Sequence, residues 1–157
     1  MNPANLNRRL FLGAGVLIGL SGTACAQTRP SRTLTVFKTP TCACCDGWIE
    51  HMREAGFSTT ITVLPSLQSV RSSRGMPDAL ASCHTGVIGG YLVEGHVPAG
   101  DVVRLLAERP EAVGLTAPGM PLGSPGMETP DGRKAPFDTL LVLRSGQTRV
   151  FGRHGRG

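Results

Sequence analysis

The chain has 157 residues, about one domain's worth, and only 4% of them are aromatic, so the sequence predicts a mainly aliphatic core. The net charge is +5 and the basic residues are scattered, which argues against a nucleic-acid-binding protein. Its 21 glycines and 12 prolines are many, but fewer than in typical disordered chains.

Residues 1–26 have the layout of a secretory signal peptide. A basic pair, Arg8 and Arg9, precedes an apolar stretch that is short for a membrane span. The stretch ends in the small residues ACA, which predicts cleavage after Ala26. The run RRLFL is similar to a twin-arginine export signal, although Asn7 stands where Ser or Thr is usual. We therefore expect export to the periplasm of a Gram-negative cell, with no membrane contact after cleavage.

Two other fates of this segment stay open, an uncleaved anchor and lipidation at Cys25. A lipoprotein signal usually has leucine three residues before the cysteine, where this chain has Gly22. Each alternative still places the domain outside the cytoplasm. Cleavage would leave 14 Lys and Arg against 11 Asp and Glu, and these four cysteines: Cys42, Cys44, Cys45 and Cys83.

Residues 33–152 are predicted to form one domain in which strands and helices alternate. β-Branched runs predict strands, and apolar residues recurring every three or four positions predict helices. Before Cys83 the predicted elements are a strand at 34–37, a helix at 46–55, a strand at 59–64, a short helix at 66–74 and a helical turn at 78–82.

The second half begins with a predicted strand at 87–94, in which Gly89-Gly90 suggests a bulge or a close backbone approach. An amphipathic helix at 101–108 follows, and then a loop rich in Gly and Pro at 115–136. The chain closes with a predicted hairpin, 139–143 and 148–151. This order predicts an α/β fold, a thioredoxin-like domain with a central mixed sheet, inserted helices and a long Gly/Pro loop.

Three thiols occupy four positions between the first strand and the first helix, in the run TPTCACCDGW. Cys42 and Cys45 form a CxxC pair, and a helix N-terminus there would stabilise a thiolate. Cys44 can scramble such a redox pair, but a third thiolate helps to bind a soft metal. Because neighbouring residues differ by about 100° around a helix, we expect Cys42 and Cys44 in the turn and Cys45 near the first helical position.

A metal held by three thiolates needs a further soft ligand, and Cys83 and His84 are the candidates. Structural zinc commonly uses two CxxC-type knuckles, of which this chain has one, so Cu(I) is the preferred ion. In the alternative interpretations, Cys83 is a small buried residue, and His84 orients a metal ligand without contacting the metal itself. Trp48 is predicted to be a core anchor that shields the site.

The other histidines and two methionines are weaker candidates. His51 is predicted to be solvated on the polar face of the first helix, and His154 to be disordered in a glycine-rich tail. His96 is open between a turn residue and part of the site. Met120 and Met127 flank the Gly/Pro loop, either as thioether ligands of Cu(I) or as space-filling side chains.

Three segments together resemble the DUF411 family of exported metal-binding proteins, which includes the CopG-type copper-resistance proteins. They are TPTCACCDGW, SCHTGVIGGYLVEGHVP and GMPLGSPGME, and the resemblance spans most of residues 33–151. It implies a thioredoxin-like fold, a periplasmic location and copper handling. It also implies Cu(I) binding by the four cysteines of the mature chain, with a cluster of several copper ions as one form of the site.

The leading hypothesis is a periplasmic Cu(I)-binding protein of copper resistance or homeostasis, whose partners are copper ions and other periplasmic copper-handling proteins. The ligands would be the four cysteines, with His84 near the site, the loop from Met120 to Met127 as a lid and copper redox activity as an extension. The alternative is a thiol–disulfide oxidoreductase that uses Cys42 and Cys45. A zinc-stabilised structural domain is the third hypothesis.

Overall fold

The computed structural model describes residues 32–156, so the predicted signal peptide, residues 1–26, lies outside the described residues. Within that range the elements are β1 (Thr33–Lys38), α1 (Cys44–Glu54), β2 (Ser58–Val63), α2 (Gln68–Ser72), a turn of 3-10 helix (Asp78–Leu80), β3 (His84–Ile88), β4 (Tyr91–Gly95), α3 (Ala99–Glu108), β5 (Ala112–Ala117), β6 (Phe137–Leu143) and β7 (Thr148–His154). None of the helices between residues 32 and 156 is long and apolar enough to cross a membrane.

The strands form one mixed sheet in the order β2-β1-β3-β4-β5-β6-β7. β1 pairs with β2 in parallel, and such a pair needs a crossover connection, which α1 supplies. β3 runs antiparallel to β1 and to β4, β4 pairs in parallel with β5, and β6 and β7 complete the sheet antiparallel. The predicted α/β domain with a central mixed sheet and a terminal hairpin is confirmed.

The prediction of a single strand at 87–94 is wrong, because this region forms the hairpin of β3 and β4. Gly89 and Gly90 have φ angles of +57° and +90°, and positive φ at both central residues is what a two-residue hairpin turn of type I′ requires. Both strands are largely buried, so they lack the apolar-polar alternation that would have separated them. The turn brings the start of β3 beside the end of β4.

The predicted loop at 115–136 is also wrong at its beginning, because β5 occupies residues 112–117 and is buried along its whole length. Gly114 allows β5 to approach β4 closely, since a Cβ atom there would collide with the carbonyl oxygen of Leu92. The long loop therefore starts after β5 and ends before β6. We refer to residues 118–136 as the Gly/Pro loop.

The main core lies where α1 and α3 pack against the sheet. Its buried side chains are aliphatic apart from Trp48 and Phe57, as the composition predicted. From α1 it takes Trp48, Ile49 and Met52, and all three are at most 1% exposed. This packing holds the N-terminal end of α1 firmly against the sheet. Because α1 begins at Cys44, that cysteine is the first helical residue, and the prediction that it lies in the turn is wrong.

Candidate metal site

The two cysteine-bearing segments meet at one end of the sheet. β1 ends at Lys38, whose Cα pairs with that of His84 at the start of β3. The chain that follows β1 and the residue that precedes β3 therefore lie side by side. The Sγ atom of Cys44 is 3.7 Å from that of Cys83, across 39 residues of sequence. The predicted convergence of the CxCC motif with Cys83 is present in the structure.

The thiols of the CxCC motif are not equivalent. Cys42 and Cys45 are joined by a disulfide, whereas Cys44 and Cys83 are free. The Sγ atom of Cys44 also lies 3.7 Å from that of Cys42, so Cys44 is close to both the disulfide and Cys83. A cysteine binds metal as its thiolate, so Cys42 and Cys45 become available as ligands when the disulfide is reduced.

Two buried histidines complete the cluster, one predicted and one left open by the sequence. The Sγ atom of Cys83 is 3.3 Å from Nδ1 of His84 and 3.4 Å from Nε2 of His96. Nδ1 of His96 is 2.8 Å from the carbonyl oxygen of Pro125. A carbonyl only accepts, so Nδ1 carries the proton and Nε2 presents its lone pair towards Cys83.

These side chains form two overlapping groups with the spacing of metal ligands. One group is Cys42, Cys45, Cys83 and His84, and the other is Cys44, Cys83 and His96. Within each group the ligand atoms lie within 4.8 Å of one another. Nδ1 of His84 faces Cys83, and its Nε2 is buried without a partner of hydrogen-bond geometry within residues 32–156. Thiolate sulfur with imidazole nitrogen is a donor set that suits Cu(I) or Zn(II).

Burial favours the neutral forms of Cys83, His84 and His96. It lowers the pKa of His84 to about 3 and also lowers the pKa of His96, so both rings are neutral bases. It raises the pKa of Cys83 to about 11, so this thiol retains its proton at neutral pH. A bound cation reverses the preference for the thiol, because it stabilises the thiolate and displaces the proton.

Trp48 packs directly behind the site, as predicted. Its side chain is fully buried, and Nε1 donates a hydrogen bond of 2.9 Å to the carbonyl oxygen of Val97. The centre of its ring system is 4.4 Å from that of His84, which in turn lies 5.0 Å from the ring of His96. The indole therefore fixes the position of His84 and excludes water from one side of the site.

The Gly/Pro loop contacts the site through its backbone. Pro125 accepts the hydrogen bond from His96, and Gly126 lies against α1, where a Cβ atom added to Gly47 would be only 2.9 Å from its Cα. Met120 is 46% exposed and Met127 is half-buried. Ligation by either methionine stays a prediction.

Gly126 is expected to be essential for this docking. A Cβ atom at Gly126 would lie 2.5 Å from the backbone nitrogen of Trp48 and 2.8 Å from the carbonyl oxygen of Cys44. Gly119 has nearly the same φ, +82° against +81°, but a Cβ atom there meets nothing within 4 Å. Gly119→Ala is expected to cost about 1–2 kcal/mol from left-handed strain alone. Gly126→Ala should cost roughly 1–3 kcal/mol more because the loop must move.

Urea denaturation of both variants measures this difference. Equal losses of unfolding free energy in Gly119→Ala and Gly126→Ala would show that the Gly/Pro loop is not held against α1. The intrinsic fluorescence of Trp48, the single tryptophan of the chain, should change only in Gly126→Ala.

Two other histidines lie elsewhere than predicted. His51 is half-buried rather than solvated, and its Nε2 accepts a hydrogen bond of 3.0 Å from the backbone N–H of Ala99. That N–H belongs to the first turn of α3, where backbone donors have no partner within the helix. His154 is ordered as the last residue of β7, with its Nε2 2.8 Å from Asp101, because β7 pairs with β6 beyond the predicted end at 151.

Residues 80–127 match the family model described as "Protein of unknown function, DUF411". The structure is similar to "Copper resistance protein copG- Form 1" at 43% identity, with a TM-score of 0.74 over 80% of this chain and 98% of that one. "Copper resistance protein copG- Form 2" gives 43% identity and a TM-score of 0.72, over 78% and 97% of the two chains. No curated protein matches this chain.

Fold and site together define a mixed α/β protein with a buried cysteine–histidine cluster at the start of a helix. The chain belongs to the DUF411 family, of the CopG type, as the three sequence segments indicated.

Proposed function

We propose that this protein binds Cu(I) in the periplasm and serves copper resistance or homeostasis. The observation that carries the proposal is the convergence of four cysteines and two histidines in two ligand groups that share Cys83. The similar solved structures bear the name copper resistance protein, which supports copper as the ion. The ligands we assign are Cys42, Cys44, Cys45, Cys83 and His84, with His96 as an addition.

The arrangement of the donors favours Cu(I) over structural zinc. Structural zinc takes four ligands in a closed tetrahedron, usually with no ligand shared. Here Cys83 belongs to both groups, and a thiolate can bridge two soft ions. We infer that the fully reduced site holds more than one copper ion in a thiolate cluster.

We further propose that the protein is exported and that its fold is thioredoxin-like. Residues 1–26 carry the pattern of a signal peptide, and a periplasmic location would follow from it. We also propose that residues 33–152 form a thioredoxin-like metal-binding domain. The parallel β1-α1-β2 unit, the antiparallel β3-β4 hairpin and α3 support this, with the CxxC pair at the start of α1. Strands β5 to β7 would then be an extension of that unit.

Anaerobic titration of the reduced protein with Cu(I) tests the copper proposal. We expect saturation at more than one equivalent, with strong thiolate-to-copper absorption in the near ultraviolet. The same titration with Zn(II) is the control, and zinc should be displaced by Cu(I) because the softer ion prefers the thiolates. Absence of the absorption, or zinc that Cu(I) cannot displace, would refute a copper function.

The disulfide between Cys42 and Cys45 favours a second function, thiol–disulfide exchange. Cys44→Ser separates the two, because serine can neither scramble the pair nor bind copper. For a copper protein we expect Cys44→Ser to bind fewer copper ions, since one of the two ligand groups loses a thiolate. If the variant binds copper as before and turns over in a disulfide-reductase assay, the protein is an oxidoreductase.

A further inference from the structure

A buried ion pair lies next to the cysteine–histidine cluster. Nε of Arg71, on α2, is 2.9 Å from Oε1 of Glu94, on β4, and the two side chains are 12% and 0% exposed. Oε1 of Glu94 also accepts a hydrogen bond of 2.6 Å from the backbone N–H of Ser82. Its other oxygen, Oε2, accepts one of 2.7 Å from the hydroxyl of Thr85. Both oxygens of a fully buried carboxylate are therefore satisfied.

Stability alone does not account for such a pair. Removing two charges from water costs more than their attraction returns in many proteins, and apolar replacements of buried pairs are often neutral or stabilising. Burial raises the pKa of Glu94, which shows the same penalty acting on its charged form. The residues that the pair holds in place offer a better explanation.

Those residues flank the metal-binding dipeptide Cys83-His84. Ser82 immediately precedes Cys83, and both of its backbone polar groups are engaged, the N–H by Glu94 and the carbonyl oxygen by Arg71. Thr85 immediately follows His84 and is bound through its hydroxyl. One carboxylate thus fixes the backbone on one side of the dipeptide and a side chain on the other.

We propose that Arg71 and Glu94 are positioning residues that hold Cys83 and His84 in the geometry for metal binding. This inference rests on the proposed function for its ligand, Cu(I), but the positioning itself does not depend on the ion. Residues that orient metal ligands typically contribute about 10-fold to 100-fold to metal affinity. Without the pair, the chain between the 3-10 turn and β3 loses the bonds that fix Ser82.

Two substitutions test the proposal. Glu94→Gln keeps the size of the side chain but removes its charge. Arg71→Lys keeps the charge but removes the planar guanidinium, which donates to Glu94 and to the carbonyl oxygen of Ser82 at the same time. We expect Cu(I) affinity, measured by competition with a chelator, to fall about 10-fold to 100-fold in Glu94→Gln and about 10-fold in Arg71→Lys. The milder Arg71→Lys keeps the test decisive if Glu94→Gln does not fold.

Asp101→Asn is the matched control, because Asp101 is another nearly buried carboxylate, 8% exposed and paired with His154 instead. We expect Asp101→Asn to lower the free energy of unfolding but to leave Cu(I) affinity within about 2-fold of the parent protein, since Asp101 holds no metal-binding segment. Equal losses of affinity in Asp101→Asn and Glu94→Gln would overturn the proposal by showing a general effect of stability.

A readout without copper distinguishes this proposal from the proposed function. In the reduced, metal-free protein, we expect alkylation of Cys83 to accelerate at least 10-fold in both variants while Cys44 reacts as before. Mass spectrometry of the labelled peptides measures both rates. Unchanged Cys83 reactivity with unchanged copper affinity would refute the positioning role. Faster alkylation in a protein that never bound Cu(I) would refute only the copper function.

Discussion

Cys83→Ser is expected to remove most of the Cu(I) binding, more than any other single cysteine substitution. Cys83 is the one residue common to both ligand groups, and a serine hydroxyl is a poor ligand for a soft ion. If a four-ligand thiolate site contributes about 10–16 kcal/mol, each ligand accounts for roughly 3 kcal/mol, which is about 100-fold in affinity. The loss applies to both groups at once. Competition with a Cu(I) chelator measures it.

Cys44→Ser is the matched control for this experiment. Cys44 belongs to one group only, so this variant should keep the copper held by Cys42, Cys45, Cys83 and His84. Neither substitution removes a large apolar side chain, and both should leave the free energy of unfolding within about 1 kcal/mol of the parent value. Parent-like copper affinity in Cys83→Ser would refute a site shared by the two cysteine segments.

The part of the site that the sequence predicted depends on local patterns. A β-branched run, the CxCC motif and a helical period place three thiols at a helix start without any tertiary information. The convergence with Cys83 needed one further assumption, that a soft metal takes ligands from elsewhere in the chain. The register between Lys38 and His84 gives the structural reason for it.

His96 could have been found from the sequence if Gly89-Gly90 had been interpreted as a turn. The observed hairpin pairs Thr85 with Glu94, and continuing the same register pairs position 83 with position 96. A two-residue turn thus places Cys83 opposite His96 directly. The interpretation as a bulge hid this relation, because a bulged single strand sends the two residues to opposite ends.

Other contacts of the site could not be predicted from sequence patterns. Glu94 lies in an apolar strand, and nothing near it in sequence indicates a buried partner 23 residues away in α2. The contact of the Gly/Pro loop with α1 depends on two glycines, Gly47 and Gly126, that approach only in the folded chain. The hydrogen bond from Ala99 to His51 likewise arises from how α3 packs against α1.

Trp48→Ala is expected to be the most destabilising single substitution near the site. The side chain is 0% exposed, its ring packs against His84, and a Cβ atom on Gly86 would lie 3.2 Å from it, so the cavity has little room to collapse. Such truncations cost about 3–5 kcal/mol, out of a typical total stability of about 5–15 kcal/mol. The carbonyl oxygen of Val97 also loses its donor. Urea denaturation followed by circular dichroism measures the change.

Trp48→Phe separates the two contributions of the indole. It keeps an aromatic ring beside His84 but removes the N–H that binds Val97, so we expect a loss of about 1–3 kcal/mol, clearly below that of Trp48→Ala. Cu(I) affinity should depend on the aromatic ring, because the ring restrains His84. The affinity should therefore fall more in Trp48→Ala than in Trp48→Phe. Equal losses of unfolding free energy in both variants would show that the contribution of Trp48 to stability comes from its hydrogen bond with Val97. Equal copper affinity in both would mean that His84 needs no aromatic neighbour to bind Cu(I).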